Sequence, residues 1–205
     1  MIHEIAPEHM DNQYHEKNVQ PDSQVCFCTG RKLLVRIQDG QISWPLYKEV
    51  KELAGECTYL FSISDRDYFL AEPTEEVAVP DAVWVEWREI RDKQPTAEAF
   101  ACMTVMHLSQ WHNSVQYCGK CGAKTVHDKK ERMMRCPSCG NTMFPKISPA
   151  IIVAVTDAHN RLLVTKYAGR TKDQYALVAG FVEIGETLEE CVQRELMEEV
   201  GIRVK

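Results

Sequence analysis

Residues 180–202 read GFVEIGETLEECVQRELMEEVGI, and the second half of this stretch has the spacing of an amphipathic helix. At roughly 100° per residue, Glu195 and Glu199 fall within about 20° of Leu188, on the apolar side of that helix. Glu198 falls about 80° from Leu188. Carboxylates that face a protein interior are costly unless they are protonated, paired or bound to a cation. The stretch therefore predicts a site that compensates inward-facing acidic side chains.

Two explanations are open for these carboxylates. Arg194 is the basic residue beside them, and on the helical wheel it is better placed for Glu190 or Glu198 than for the inward pair. Oxygen ligands at i, i+3 and i+4 suit Mg²⁺ or Mn²⁺, which retain water and meet substrate phosphates. The alternative is a partly buried network of ion pairs with a basic side chain from elsewhere in the chain.

The segment from 115 to 145 contains two C-x2-C pairs separated by fourteen residues. A glycine follows the second cysteine of each pair and permits the tight turn that directs backbone amides at sulfur. Four thiolates in a tetrahedral array suit a structural Zn²⁺. Because the segment has few large apolar residues, we expect zinc binding and folding to be coupled. The predicted ligands are Cys118, Cys121, Cys136 and Cys139.

Other interpretations of this segment are iron in a rubredoxin-like site and four unrelated thiols. A zinc ribbon can also bind nucleic acid, and KTVHDKKER (124–132) is locally basic. That loop also carries Asp128 and Glu131, however, and the whole chain is acidic. Structural zinc is therefore the prediction.

The remaining cysteines predict no second metal site. Cys26 and Cys28 form a C-x-C pair without partner ligands nearby in the sequence. Free cysteine packs well in cores, so the three isolated cysteines are expected to be small buried hydrophobes. These are Cys57, Cys102 and Cys191.

The composition is that of an ordinary globular protein. The chain has 205 residues, of which 44% are hydrophobic and 26% charged, and its formal net charge is −6. This charge argues against a general binder of nucleic acid or membrane surfaces. No apolar run approaches the roughly 20 residues that span a bilayer, and the polar N-terminus lacks the apolar core of a signal peptide. We expect a cytoplasmic protein that does not contact membranes.

The pattern of elements predicts an α+β fold with several parts. Short β-type segments such as KLLVRI, CTYLFSI and VWVEWREI recur from about 24 to 92, with one short helix at YKEVKELAG. His107 and His112 lie on the next predicted helix and are expected to be packed or solvated. In order, we predict a loose polar segment (1–22), a small mixed α/β domain (23–95), a connecting helix (96–114), the zinc ribbon (115–145) and an α/β domain (146–205).

The opening stretch resembles the complete Nudix box, because every fixed position of that motif is filled within 23 residues (180–202). The matching residues are Gly180, Glu186, Arg194, Glu195, Glu198, Glu199 and Gly201, with aliphatic Leu196 and Ile202. The resemblance implies an α/β/α Nudix fold and hydrolysis of a nucleoside diphosphate linked to another moiety. It is specific to the family and not to the substrate.

The resemblance also implies roles for individual residues. In the family, divalent Mg²⁺ or Mn²⁺ is held by glutamates that match Glu195, Glu199 and often Glu198. A backbone carbonyl that matches Ala179 or Gly180 completes the set. Glu186 and Arg194 are implied to pair and to orient the box. The carboxylate that assists water varies across the family, so no general base is assigned.

The order of parts narrows the resemblance to the zinc-ribbon NADH pyrophosphatases, from about residue 100 onward. Entry to the box through LVAGFVEIGET supports this branch. It implies cleavage of NADH or NAD⁺ to nicotinamide mononucleotide and AMP, removal of NAD caps from RNA, and a homodimer. Glu131 and Phe144 match positions that contact substrate, Phe144 by stacking on a base; a solvated loop charge and a ribbon-core side chain are the alternatives.

The sequence departs from the family in one respect. The family's Nudix domain continues well past the box, with further strands, another metal-binding glutamate and an SQPWPFPQS-like segment that marks NADH specificity. The 60 residues from 146 to 205 are thus expected to be an incomplete Nudix domain, truncated at the C-terminus, from either a fragment or a shortened protein. Rival functions are hydrolysis of ADP-ribose or another nucleoside diphosphate derivative, and an inactive zinc-ribbon binding module.

Overall fold

In the computed structural model, which describes residues 2–73, 77–169 and 174–204, the chain forms two units. They are Met1–Pro145 and Lys146–Lys205, whose outermost residues, Met1 and Lys205, lie outside the described ranges. The finer domain bounds inferred from the sequence stay a prediction. The mixed helix and strand content confirms the α+β class. Among the described residues, no helix has the length and apolar character needed to cross a membrane.

The first unit is built mainly of short strands around one long helix. Its elements in chain order are β1 (Met10–Asp11), β2 (Gln24–Cys26), β3 (Cys28–Thr29), β4 (Lys32–Gln38), β5 (Gln41–Ser43), α1 (Tyr47–Val50), β6 (Ala54–Ile63), β7 (Arg66–Pro73), β8 (Ala82–Glu86), α2 (Trp87–Ile90), α3 (Thr96–Ser114), β9 (Val126–His127), β10 (Met134–Arg135) and β11 (Thr142–Met143).

Three sheets organise this unit. One has the order β1-β6-β7-β2, with β2 parallel to β7 and the other pairs antiparallel. In the second, β4 pairs with β3, β5 and β8, all antiparallel. The third sheet, β11-β10-β9, belongs to the cysteine segment.

The strands separate two apolar cores because alternate side chains of a strand point to opposite faces. On β4, Leu33 and Val35 enter the larger core, whereas Leu34 enters the smaller one. The larger core also receives Trp111 from α3 and Met134 from the cysteine segment. The helix and the cysteine segment therefore share a core with the N-terminal sheets.

The structure corrects three local predictions in this unit. The first 22 residues are not wholly loose, since Met10 pairs with Ile63 in β1 and β6. The segment VWVEWREI is a strand only to Glu86, after which α2 begins. Cys57 is half-buried and not a core residue, whereas Cys102 is buried as expected. The long helix has the predicted bounds, Thr96–Ser114.

The second unit contains β12 (Ala150–Val153), β13 (Thr165–Lys166), β14 (Tyr175–Ala176), β15 (Val178–Phe181) and α4 (Leu188–Val200). β12 pairs antiparallel with β15, and β13 with β14. α4 packs against β15 and β12, and it buries Cys191 and Leu196. This arrangement places the last turns of α4 beside the strand that carries Ala179 and Gly180.

Candidate functional site

The four predicted zinc ligands converge on one point. Their sulfur atoms all lie within 4.8 Å of one another, in the one group of this kind among the described residues. The Sγ atoms of Cys118 and Cys139 are 3.7 Å apart, and those of Cys121 and Cys136 are 3.4 Å apart. Zn–S bonds of about 2.3 Å in a tetrahedron require sulfur separations of about 3.8 Å. The donor set and its spacing therefore fit a closed structural zinc site.

Each C-x2-C pair lies in the same type of backbone turn. The N–H of Gly122 donates to the carbonyl of Cys118 at 2.8 Å, and the N–H of Gly140 donates to that of Cys136 at 3.0 Å. Both glycines adopt a positive φ, 75° and 73°, which residues with a side chain rarely adopt. The glycines that follow each pair thus close the two turns, as the sequence predicts.

Backbone amides stabilise thiolate at these turns. The N–H of Lys120 donates to the Cys118 sulfur at 3.4 Å, and such donation lowers the pKa of Cys118 to about 6. The pKa of Cys136 is also lowered, mainly by the backbone N–H of Cys139. Because zinc binds the thiolate form, these contacts prepare the ligands for the metal.

The second cluster lies where α4 meets β15. A Cβ atom added at Gly180 would lie 1.9 Å from Cδ and 2.0 Å from Oε1 of Glu195. Real Cβ contacts are never this short, so the Glu195 carboxyl group fills the space that any side chain at position 180 would need. The side chain of Glu195 is 14% exposed, which agrees with its predicted inward direction.

Arg194 joins the loop before α4 to the helix itself. Its Nε and Nη2 donate to the two carboxylate oxygens of Glu186, at 2.5 and 3.0 Å, and Nη2 also donates to the carbonyl of Phe181 at 2.9 Å. The Glu186–Arg194 pair implied by the resemblance is confirmed. Hydrogen bonds from Arg194, with that from the Glu183 N–H, lower the pKa of Glu186 to about 2.

The wider pairing of Arg194 agrees with the helical-wheel prediction at Glu198 and differs from it at Glu190 and Glu195. Its Nη1 donates to Glu195 at 2.9 Å and to Glu198 at 3.1 Å, so it contacts one of the two residues predicted to face inward. It does not pair with Glu190, whose carboxylate accepts the N–H of Thr187 at 2.8 Å. In return the Thr187 hydroxyl accepts the N–H of Glu190, and this capping box begins the helix.

Glu199 also departs from the prediction. It is exposed, as is Glu198, although α4 packs against β15 and β12. No basic side chain from another element pairs with the three carboxylates in the described part of the chain. Their oxygens do not converge within 4.8 Å as the four sulfurs do. The three carboxylates offer hard oxygen ligands for a divalent cation, and the side chain of Glu195 is the one held in place.

Ala179 lies one residue before Gly180 on β15, where it pairs with Ile152 of β12. Its side chain is exposed, and β15 is the strand against which α4 packs. The predicted carbonyl ligand is therefore next to the residue that contacts Glu195. This sequence proximity agrees with the implied ligand set and leaves its geometry a prediction.

Two predicted substrate contacts lie in the first unit. Glu131 is exposed in the loop between β9 and β10. Phe144 is 55% exposed, so it is not a core side chain of the cysteine segment. Neither residue is a ligand of the four-sulfur cluster.

Sequence reasoning missed a contact between α3 and the cysteine segment. His112 is buried as expected, but its ring stacks on that of His127, with centroids 4.6 Å apart. Burial lowers the pKa of both rings. Nothing in the spacing of the two residues signals this contact, since it depends on how the segment folds back on the helix. His107 is exposed.

Family models match the two parts of the chain that carry these clusters. Residues 113–144 match the NADH pyrophosphatase zinc ribbon domain, and residues 146–205 match the NUDIX domain. The chain contains a zinc ribbon of the NADH pyrophosphatase type and a Nudix domain. The α4 cluster lies in the Nudix domain, and the four sulfurs lie in the zinc ribbon.

Curated relatives match the chain over part of their length. The chain is similar to the NAD-capped RNA hydrolase NudC of Chromobacterium violaceum, with 36% identity over 137 residues, which are 67% of this chain and 51% of the relative. It is 34% identical to NudC of Pseudomonas syringae pv. syringae over 160 residues, 75% of this chain and 57% of the relative. The match to NudC of Shigella flexneri is 41% over 100 residues, 49% of this chain and 38% of the relative. The chain thus spans about half the length of these relatives.

Proposed function

We propose that the chain belongs to a metal-dependent NAD(H) diphosphatase, which cleaves the pyrophosphate bond of NADH or NAD⁺ to nicotinamide mononucleotide and AMP. Removal of NAD caps from RNA is the same cleavage on a longer substrate, and it is the activity for which the similar NudC proteins are named. The observation that carries the proposal is the Glu195 carboxylate packed on Gly180 and held by Arg194 in the Nudix domain.

The proposed divalent-cation ligands are Glu195, Glu198, Glu199 and the backbone carbonyl of Ala179 or Gly180. Mg²⁺ and Mn²⁺ are the proposed ions because all of these donors are hard oxygens. When bound, such an ion neutralises pyrophosphate charge and lowers the pKa of an attacking water. No single carboxylate is assigned as the general base.

Glu186 and Arg194 are proposed to position the ligands without contacting substrate. Their two-point ion pair ties the loop at 183–187 to the middle of α4. Arg194 also restrains the carboxylates of Glu195 and Glu198 before a cation arrives. A guanidinium that donates to both oxygens of a carboxylate fixes the orientation of that carboxylate and also neutralises its charge.

Substrate contacts, a homodimer and a cytoplasmic location are also proposed. Exposed Phe144 offers a free aromatic face for stacking on a base, and Glu131 is the proposed polar contact of the ribbon loop. A homodimer is proposed from the resemblance. A reducing cytoplasm agrees with the nine cysteines, all in the described ranges and all with free thiols.

The test is to incubate the zinc-loaded protein to which the chain belongs with NADH and either Mg²⁺ or Mn²⁺, and to quantify AMP and nicotinamide mononucleotide. Glu198→Gln and Glu199→Gln are each expected to lower the rate roughly a hundredfold or more, because a metal ligand contributes several kcal/mol to the transition state. Zinc content stays unchanged in both. Glu189→Gln, an exposed residue of the same helix, is the matched control and keeps its rate.

Parallel reactions separate the rival functions. Faster turnover of ADP-ribose than of NADH supports a Nudix hydrolase for another nucleoside diphosphate derivative. If the zinc-loaded protein to which the chain belongs releases no AMP from any of these substrates, the proposal is contradicted and the binding module is supported. Full activity of both glutamine variants contradicts the ligand assignment.

A further inference from the structure

Three residues that carry buried side-chain donors line one cavity in the first unit. The Tyr59 hydroxyl, Trp111 Nε1 and Arg132 Nε are buried, and no group in the described part of the chain forms a hydrogen bond with them. Tyr59 and Trp111 are only 4% and 8% exposed. All three residues border the same cavity of about 20 Å³. Buried polar groups without partners are rare, so three around one cavity indicate an occupant that accepts hydrogen bonds.

The guanidinium of Arg132 has no negative partner. Its Nη1 donates to Oδ1 of Asn12 at 2.6 Å, and its Nη2 donates to the backbone carbonyls of Asn12 and Leu60. All of these acceptors are neutral. Within the described ranges no carboxylate forms an ion pair with Arg132, and burial lowers the pKa of its guanidinium. Arg132 is half-buried, and a cation partly removed from water without a counter-charge is costly.

The remaining walls of the cavity do not supply negative charge. None of the residues that line it is an aspartate or a glutamate. The stacked rings of His112 and His127 form one side, and apolar Leu70, Leu108 and Met133 form others. A metal cation would therefore find a positive charge and no acidic ligand here.

We propose that this cavity binds one small monovalent anion of the size of chloride. Trp111 Nε1 and Arg132 Nε can only donate hydrogen bonds, and an anion accepts from both and from the Tyr59 hydroxyl. A water molecule brings two hydrogens of its own and no charge, so it leaves the guanidinium uncompensated. The cavity exceeds the roughly 10–15 Å³ that a water-sized occupant needs but is too small for a phosphate.

The anion would connect three parts of the first unit. Tyr59 lies on β6, Trp111 on α3, and Arg132 in the ribbon loop between β9 and β10. An occupant held by all three binds only the folded arrangement. Chloride should therefore raise the stability of the folded chain as its concentration rises, in the manner of any ligand that binds the native state alone.

The experiment compares thermal unfolding of the zinc-loaded chain in sodium chloride and in sodium gluconate of equal ionic strength. We expect the Tm to rise with chloride and to saturate, but not to rise with gluconate, which is too large for the cavity. Tyr59→Phe removes one donor and keeps the ring, and Trp111→Phe removes one donor and keeps a smaller aromatic ring; each should weaken the chloride effect severalfold. Tyr68→Phe is the matched control, because its hydroxyl bonds Glu98 at 3.0 Å and not the cavity, and its chloride effect stays.

Crystals of the unchanged chain grown in bromide give a direct test that needs no variant. An anomalous peak between Tyr59, Trp111 and Arg132 supports the site. Equal Tm values in the two salts together with no bromide peak show that the cavity holds water, and this overturns the proposal. A chloride effect of full size in both phenylalanine variants overturns the assignment to this cavity.

Discussion

At the level of single residues, the position of the Glu195 side chain depends on the absence of a side chain at Gly180. The strand residue has no side chain, and the carboxyl group of the helix residue occupies the space that this leaves. Because Glu195 also accepts from Arg194 at 2.9 Å, its side chain has little freedom to move away. The position thus tolerates glycine alone while the carboxylate keeps its place.

Gly180→Ala is predicted to displace the Glu195 carboxylate and to weaken binding of Mn²⁺ about tenfold or more, the lower end of what displaced metal-site residues cost. Mn²⁺ affinity is measured by electron paramagnetic resonance titration of the zinc-loaded chain. Gly119→Ala is the matched control, because a Cβ atom there meets nothing within 4 Å. Equal Mn²⁺ affinity of the Gly180→Ala variant and the unchanged chain would show that the close contact does not matter for the site.

The sequence could predict which residues form the candidate site better than where their side chains lie. It predicted the Glu186–Arg194 pair and the partly buried position of Glu195. It placed Glu199 inward, but the structure exposes this residue. A helical wheel gives direction relative to the helix axis, and burial depends also on whether another element lies opposite. That second condition is not contained in the spacing of the residues.

The zinc ribbon is an element whose two halves have the same backbone pattern. In each half the cysteine N–H donates to a carbonyl five residues later, Ala123 for Cys118 and Asn141 for Cys136, both at 2.8 Å. The strands between them are only two residues long, as in β9 and β10. Strands this short cannot hold a sheet together by themselves. We therefore expect the metal to stabilise this element together with the contact of Met134 with the larger core.

Cys121→Ser is predicted to lose zinc and to unfold the ribbon, since the apparent zinc-binding free energy of such sites, about 10–16 kcal/mol, is also their folding free energy. Zinc is measured by mass spectrometry of the metal content, and the ribbon by amide NMR signals from 115–145. Cys57→Ser, at a half-buried thiol outside the cluster, should keep both. A variant at Cys121 that keeps native ribbon signals without metal would contradict zinc-dependent folding.

Long periodic elements were predictable, and short ones less so. The bounds of α3 agree with the prediction because apolar residues recur along all of Thr96–Ser114. The four residues Trp87–Ile90 were predicted as a strand and form α2. Their aromatic and β-branched side chains favour strands, but a single helical turn is decided by packing against neighbours, here β8 and α3.

At the scale of the whole molecule the two units differ in how much apolar surface they bury. The larger core of the first unit runs from Ile5 to Met134. In the second unit the buried hydrophobic residues of the described ranges are Val178, Cys191 and Leu196. Ile152 and Phe181 are 71% and 65% exposed there. Burial of apolar area is the main source of folding stability, so we expect the second unit to have the lower free energy of unfolding.

Amide hydrogen exchange of the zinc-loaded chain is predicted to be faster in the second unit than in the first. Amides of β15 and α4 should exchange at least tenfold faster than those of β4 and β7, because local opening of a small core costs less free energy. Exchange is measured by NMR or mass spectrometry at constant pH. The amides of α3 serve as the internal reference, since that helix buries most of one face in the larger core. Equal protection in both units would refute this difference.

Two sulfur–sulfur contacts have a further consequence for the ribbon under oxidants. The sulfurs of Cys118 and Cys139 are 3.7 Å apart and those of Cys121 and Cys136 are 3.4 Å apart, and each pair links one turn to the other. A disulfide needs its sulfurs about 2.05 Å apart, so a small approach closes both bonds once the metal has left. Peroxide would then oxidise each pair to a disulfide. These bonds would link the two turns and would join no two cysteines of the same C-x2-C pair. The oxidised segment would keep its shape yet be unable to take up zinc again until a reductant opened the bridges.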